Sequence, residues 1–154
     1  MNKYRQFFIS RSKVKQSSEY LNELEKSINY TFQKNYRNFI LEFENAYFDS
    51  EKYYVKFKDE IPTYGSSMRY IDILGLNEES YGFSNTIRSL EGQIPSSMLP
   101  IACVDLCNFV LFHKRFGEIF LYIHDEDSNN SGYPVFKIFD CLKDFLDNIT
   151  RIEE

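Results

Sequence analysis

The chain has 154 residues, 18% of them aromatic (15 Phe, 12 Tyr, no Trp), and a formal net charge of −5. That length fits one domain with ample material for a core, expected to span residues 1–154 as a helical arm at 1–16 and a core at 17–150. No apolar run reaches membrane-spanning length, and the three consecutive apolar residues near the start are too few for a secretory signal, so the chain reads as cytoplasmic.

The charge is uneven. Residues 1–18 carry five basic side chains and no acidic one, which leaves 13 basic against 23 acidic groups in the remainder, a net of −10. An acidic body argues against a nucleic-acid binder and suits a basic partner. The three cysteines, Cys103, Cys107 and Cys141, are odd in number and show no Cys-x-x-Cys spacing, as in a reducing compartment.

In chain order, Tyr4, Phe7 and Phe8 have helical spacing and predict a short helix docked on the body. Ser17 or Ser18 can cap a first main helix whose apolar face is Tyr20, Leu21, Leu24 and Ile28, with Asn29 as a left-handed stop. A second helix runs from about Gln33 to Phe43, with Phe32, Tyr36, Phe39, Ile40 and Phe43 on one face, and Asn45 ends it. Tyr53–Phe57 alternates as a strand. Pro62 and the Gly65-Ser66-Ser67 run break the chain, and Met68–Leu74 predicts a second strand centred on Tyr70 and Ile71. Ser84 can cap a short helix through Leu90.

The segment from Met98 to Asp125 then predicts three consecutive strands, Leu99–Val104, Phe109–His113 and Glu118–His124. If Lys114 to Gly117 form the turn, Val110 lies opposite Leu121 and Phe112 opposite Ile119 on an apolar face. The other face carries Phe109, Leu111, Phe120 and Tyr122. A hairpin apolar on both faces belongs inside its sheet, not at the edge. Pro134–Phe139 reads as a last strand, and Asp140 as the cap of a final helix with Leu142, Phe145, Leu146 and Ile149 on one face. The fold class is therefore α+β: a single layer of mostly antiparallel sheet, five to six strands, covered by N-terminal and C-terminal helices.

Several words of this sequence, in order, resemble the SUKH superfamily, the Smi/Knr-type domains. They are Leu21-Asn22-Glu23-Leu24-Glu25, then Phe32 to Ile40 with Tyr36-Arg37 at its heart, followed by Asn45-Ala46. Further on come Leu99-Pro100-Ile101-Ala102, Asp105-Leu106-Cys107-Asn108, Tyr122-Ile123-His124-Asp125, and the closing Cys141 to Leu146. Gln33 stands where the family has Pro, and Ala46, Leu106 and Cys107 stand where it has Gly. The resemblance implies a non-catalytic immunity protein that binds and neutralises a cognate bacterial polymorphic or contact-dependent toxin, such as a nuclease. Its alternative is a regulatory protein-interaction module in cell-wall synthesis or signalling control.

Chemistry is sparse in the residues themselves. The only histidines, His113 and His124, fall at opposite ends of the proposed hairpin, so they make no dyad. His124 with Asp125, Glu126 and Asp127 is the one arrangement that could serve a small hydrolase or a metal. The same register brings His124 near Cys107, as in a thiol–imidazole pair or a zinc site, but zinc wants better-spaced ligands and a surface histidine is the commoner case. No phosphate-cradling loop, nucleophile elbow or dinucleotide fingerprint occurs. We therefore expect no catalytic residue, no cofactor and no metal, no nucleic acid or membrane partner, and a monomer or weak homodimer. The expected partner is a protein, a basic toxin domain. Its expected contacts are the acidic runs and neighbouring aromatics Glu78, Glu79, Tyr81, Asp125, Glu126, Asp127 and Tyr133, since interface energy concentrates in aromatic anchors while acidic fields raise association rates.

Overall fold

The structure, a computed structural model, describes residues 1–11, 18–77, 82–105, 107–124 and 132–154. Its centre is the expected hairpin. Strands β7 (Asn108–His113) and β8 (Ile119–Tyr122) pair antiparallel with Val110 opposite Leu121 and Phe112 opposite Ile119. Gly117 takes φ +72°, the left-handed conformation that closes the turn and that a residue with a Cβ adopts only under strain.

Around it the described residues form two antiparallel sheets. The larger has seven strands in the order β1 (Phe8–Ser10), β2 (Ala46–Phe48), β5 (Ile71–Ile73), β6 (Met98–Val104), β7, β8 and β9 (Val135–Phe139). The smaller has three, β10 (Ile149–Arg151), β3 (Tyr53–Ile61) and β4 (Gly65–Met68). The hairpin lies inside its sheet, flanked by β6 and β9. The α+β antiparallel class stands, with more strands than five or six and a second sheet.

Helix α1 (Ser18–Ile28) stops at Asn29 with φ 51°, and α2 (Lys34–Phe43) gives way to β2 through Asn45 with φ 57°. Asn tolerates this conformation better than other residues with a Cβ, so both stops are legible locally. Ala46 needs no left-handed backbone because Asn45 has taken it, and Asp105, at φ 52°, does the same before β7. The apolar faces of α1 and α2 pack on one side of the large sheet, where Leu21, Tyr36, Phe39, Ile40, Val110 and Phe112 are buried. Val55, Phe57 and Ile61 of the small sheet share this core, Phe57 meeting the ring of Phe139 at 6.4 Å.

Several local expectations need correction. Tyr20, expected on the apolar face of α1, is 51% exposed. Residues 2–7 form a 3-10 helix, but Phe8 belongs to β1, paired with Phe48. The single strand expected over Met68–Leu74 is two: Met68 pairs with Val55 in the small sheet and Ile71 with Val104 in the large one. Between them Tyr70 is 62% exposed, at the step where the chain changes sheets. Helix α3 (Phe83–Ser89) is capped at Gly82, so Ser84 lies within its first turn. Helix α4 (Leu142–Asp147) starts from Cys141 without a side-chain cap, and Asp140 bonds Lys137 instead. Ile149 leaves α4 for β10 opposite Val55; its spacing from Leu142, Phe145 and Leu146 fits a helix, but pairing with β3 overrides that period.

Candidate partner-binding face

The alternation of β7 and β8 presents two different surfaces. Val110, Phe112, Ile119 and Leu121 point to the helices and are fully buried, with Phe112 stacked on Tyr36 at 4.2 Å. On the opposite face Leu111 and Tyr122 are buried with Leu90, Met98 and Val135, while Phe109, Phe120, Ile94 and Tyr133 are only partly covered. The segment between α3 and β6 is the cover on this side, and it is incomplete. A cleft of about 640 Å³ remains between it and the β3–β4 turn. Phe120, Tyr133 and Val135 give the cleft an apolar lining, and Asp59 and Glu60 an acidic rim.

Tyr133 is half-buried, packs against the second cluster and lines the cleft. The other expected contacts, Glu78, Glu79, Tyr81, Asp125, Glu126 and Asp127, lie outside the described residues. Asp59 and Glu60 form an acidic run visible in the sequence, but only the tertiary fold brings this end of β3 to the cleft that Tyr133 also lines. Lys137 also lines the cleft, held by Asp140 at 2.8 Å and Glu118 at 2.7 Å. Those two hydrogen-bonding carboxylates, Asp140 first, raise its ammonium above the ordinary lysine value.

The histidines sit at opposite ends of the hairpin. His113 Nδ1 accepts the backbone N–H groups of Arg115 (3.1 Å) and Phe116 (3.3 Å), a turn-stabilising role. The exposed His124 donates its backbone N–H to Asn108 Oδ1 at 3.0 Å, and its Nδ1 lies 3.4 Å from the Tyr122 hydroxyl. Cys107, next to Asn108, is an exposed free thiol. Among the described residues no group of three or more His, Cys, Asp or Glu side chains is disposed to hold a metal ion. No helix among them is long and apolar enough to cross a membrane.

The motif residues of the α1–α2 segment do structural work. Glu25 accepts the backbone N–H of Phe32 at 2.7 Å and pairs with Arg37, whose second guanidinium nitrogen donates to Asn22 Oδ1 at 3.1 Å. Gln33 is the residue before α2, with φ −60°, a value proline also adopts, and its Nε2 donates to the Arg115 carbonyl at 3.1 Å. Tyr64 donates to Asp105, and burial followed by that bond pushes its phenol well above the ordinary tyrosine value.

The described geometry therefore offers an acidic-rimmed, aromatic-lined recess on the second face of the large sheet. A family comparison agrees with the motif order: the SMI1 / KNR4 family (SUKH-1) matches residues 15–148, and the chain belongs to that family. Comparison with curated proteins found no match.

Proposed function

We propose that this SUKH-1 protein is a non-catalytic immunity protein that binds a cognate toxin domain in the cytoplasm and blocks it. Family membership is the observation that carries this reading, because domains of this kind act by protein contact. Two features favour a basic target. The body beyond residue 18 has a net charge of −10, which accelerates and orients approach of a cationic domain. The second sheet face offers partly buried aromatics beside an acidic rim, the arrangement from which interface hot spots are built.

The contact set under this proposal is Tyr133 in the cleft, joined by Glu78, Glu79, Tyr81, Asp125, Glu126 and Asp127. Co-expression with toxin domains encoded beside this gene is the direct experiment. Growth should be rescued and a stable complex recovered. No rescue and no complex would end the proposal, and stable capture of a cell-envelope or signalling component instead would favour the regulatory role. His124→Ala should protect as well as the unaltered protein; loss of protection with the complex still formed would point to hydrolytic chemistry.

A further inference from the structure

The tip of the β7–β8 hairpin is held unusually firmly for an exposed turn. Tyr30 Oη donates to the Lys114 carbonyl at 2.8 Å, Gln33 Nε2 to that of Arg115 at 3.1 Å, and Tyr36 Oη to that of Gly117 at 2.6 Å. The N–H groups of Arg115 and Phe116 are taken up by His113 Nδ1. On this fixed backbone Phe116 stands 62% exposed, stacked on His113 at 4.9 Å, with the Arg115 guanidinium 5.2 Å from its ring centre. Neither Lys114 nor Arg115 makes an ion pair among the described residues. A preordered aromatic preceded by two cations that make no ion pair among the described residues loses little entropy on docking, and it stands out on an acidic chain.

The cleft has the complementary character and adjoins the root of the tip, since His113 lines it. Its lining is apolar at Met98, Phe120, Tyr133 and Val135, and its rim carries Asp59 and Glu60. Glu60 and Asp59 are exposed and likewise make no ion pair among the described residues. We propose that the Lys114-Arg115-Phe116 tip of one copy docks into this cleft of a second copy, and reciprocally, forming a two-fold dimer. Phe116 enters the apolar lining while Lys114 and Arg115 face Asp59 and Glu60. Because tip and cleft are neighbours on one chain, a two-fold axis makes both contacts in a single interface and the assembly closes at two. The interaction goes beyond toxin binding and does not depend on it, although it would cover Tyr133.

Sedimentation equilibrium of the purified full chain over a concentration series tests the proposal. A monomer–dimer equilibrium weakened by salt is expected. Phe116→Ala, Arg115→Glu and Glu60→Lys should each weaken self-association by about tenfold or more, all three positions being exposed or on the rim. An equal mixture of Arg115→Glu and Glu60→Lys chains should regain the dimer. In that pair the altered tip faces the altered cleft and the native tip faces the native cleft, so both contacts join unlike charges. A chain that stays monomeric throughout, a dimer indifferent to all three substitutions, or a mixture that regains nothing overturns the proposal.

Discussion

The hydroxyl of Tyr36 on α2 donates a 2.6 Å hydrogen bond to the carbonyl of Gly117, and its ring stacks on Phe112 at 4.2 Å. One side chain thus fixes the helix to both the strand and the turn of the central hairpin. Burial drives its phenol far above the ordinary tyrosine value, which keeps it a hydrogen-bond donor. Tyr36→Phe keeps the stacking and leaves the Gly117 carbonyl without this donor. The expected loss is about 1–3 kcal/mol of unfolding free energy, read by urea denaturation. A loss under about 0.5 kcal/mol would mean that the carbonyl finds another donor.

Glu25 links the two helices in the same way. Its side chain is 11% exposed and serves both the Phe32 N–H and the Arg37 guanidinium. Glu25→Ala orphans the Phe32 N–H and leaves Arg37 with its bond to Asn22; charge-assisted bonds of this kind contribute about 1.5–3 kcal/mol. Arg37→Ala should cost less, since Glu25 keeps the Phe32 N–H. Equal losses in the two variants would contradict this ordering.

Acid stability should depend on Asp147. Hydrogen bonds from Lys143 and then Tyr4 hold its carboxyl down at about 2. A carboxylate lowered in the folded state stabilises the protein above its unfolded value, and the contribution disappears as pH falls through the folded value. The thermal midpoint should therefore decline between about pH 4 and pH 2. Asp147→Asn should flatten that part of the profile. The effect is modest because the side chain is 34% exposed. An unchanged slope in the variant would remove Asp147 from the account.

Toxin binding, if it follows the proposed surface, should separate into rate and residence. Joint neutralisation of Asp125, Glu126 and Asp127 to their amides should slow association with a basic toxin domain by about tenfold and reduce its salt dependence. Tyr133→Ala should instead speed dissociation. Stopped-flow or surface-resonance kinetics distinguish the two. If neither variant alters either rate constant, the toxin uses another face.

Local physics made much of this protein legible from its residues alone. The left-handed stops at Asn29 and Asn45, the two-sided hairpin with Val110 opposite Leu121, the apolar face of α2 and that of α1 apart from Tyr20 all follow from signals a few residues long. Side-chain alternation also separated the helix-facing surface of the hairpin from the Phe109, Leu111, Phe120 and Tyr122 surface, which is the candidate site.

Partner choice was decided only by the tertiary structure. Nothing local tells Met68 to pair with Val55 and Ile71 with Val104, or sends Ile149 to β3 when its spacing fits the preceding helix. The cleft has the same origin: Asp59 and Glu60 at the end of β3 line it together with Phe120 and Tyr133 only because the folded chain brings these segments together. Periodicity reports which way a side chain points relative to its own backbone. Which strand pairs with it is settled by burial and hydrogen bonding between segments far apart in the chain, and those competing pairings leave no local mark.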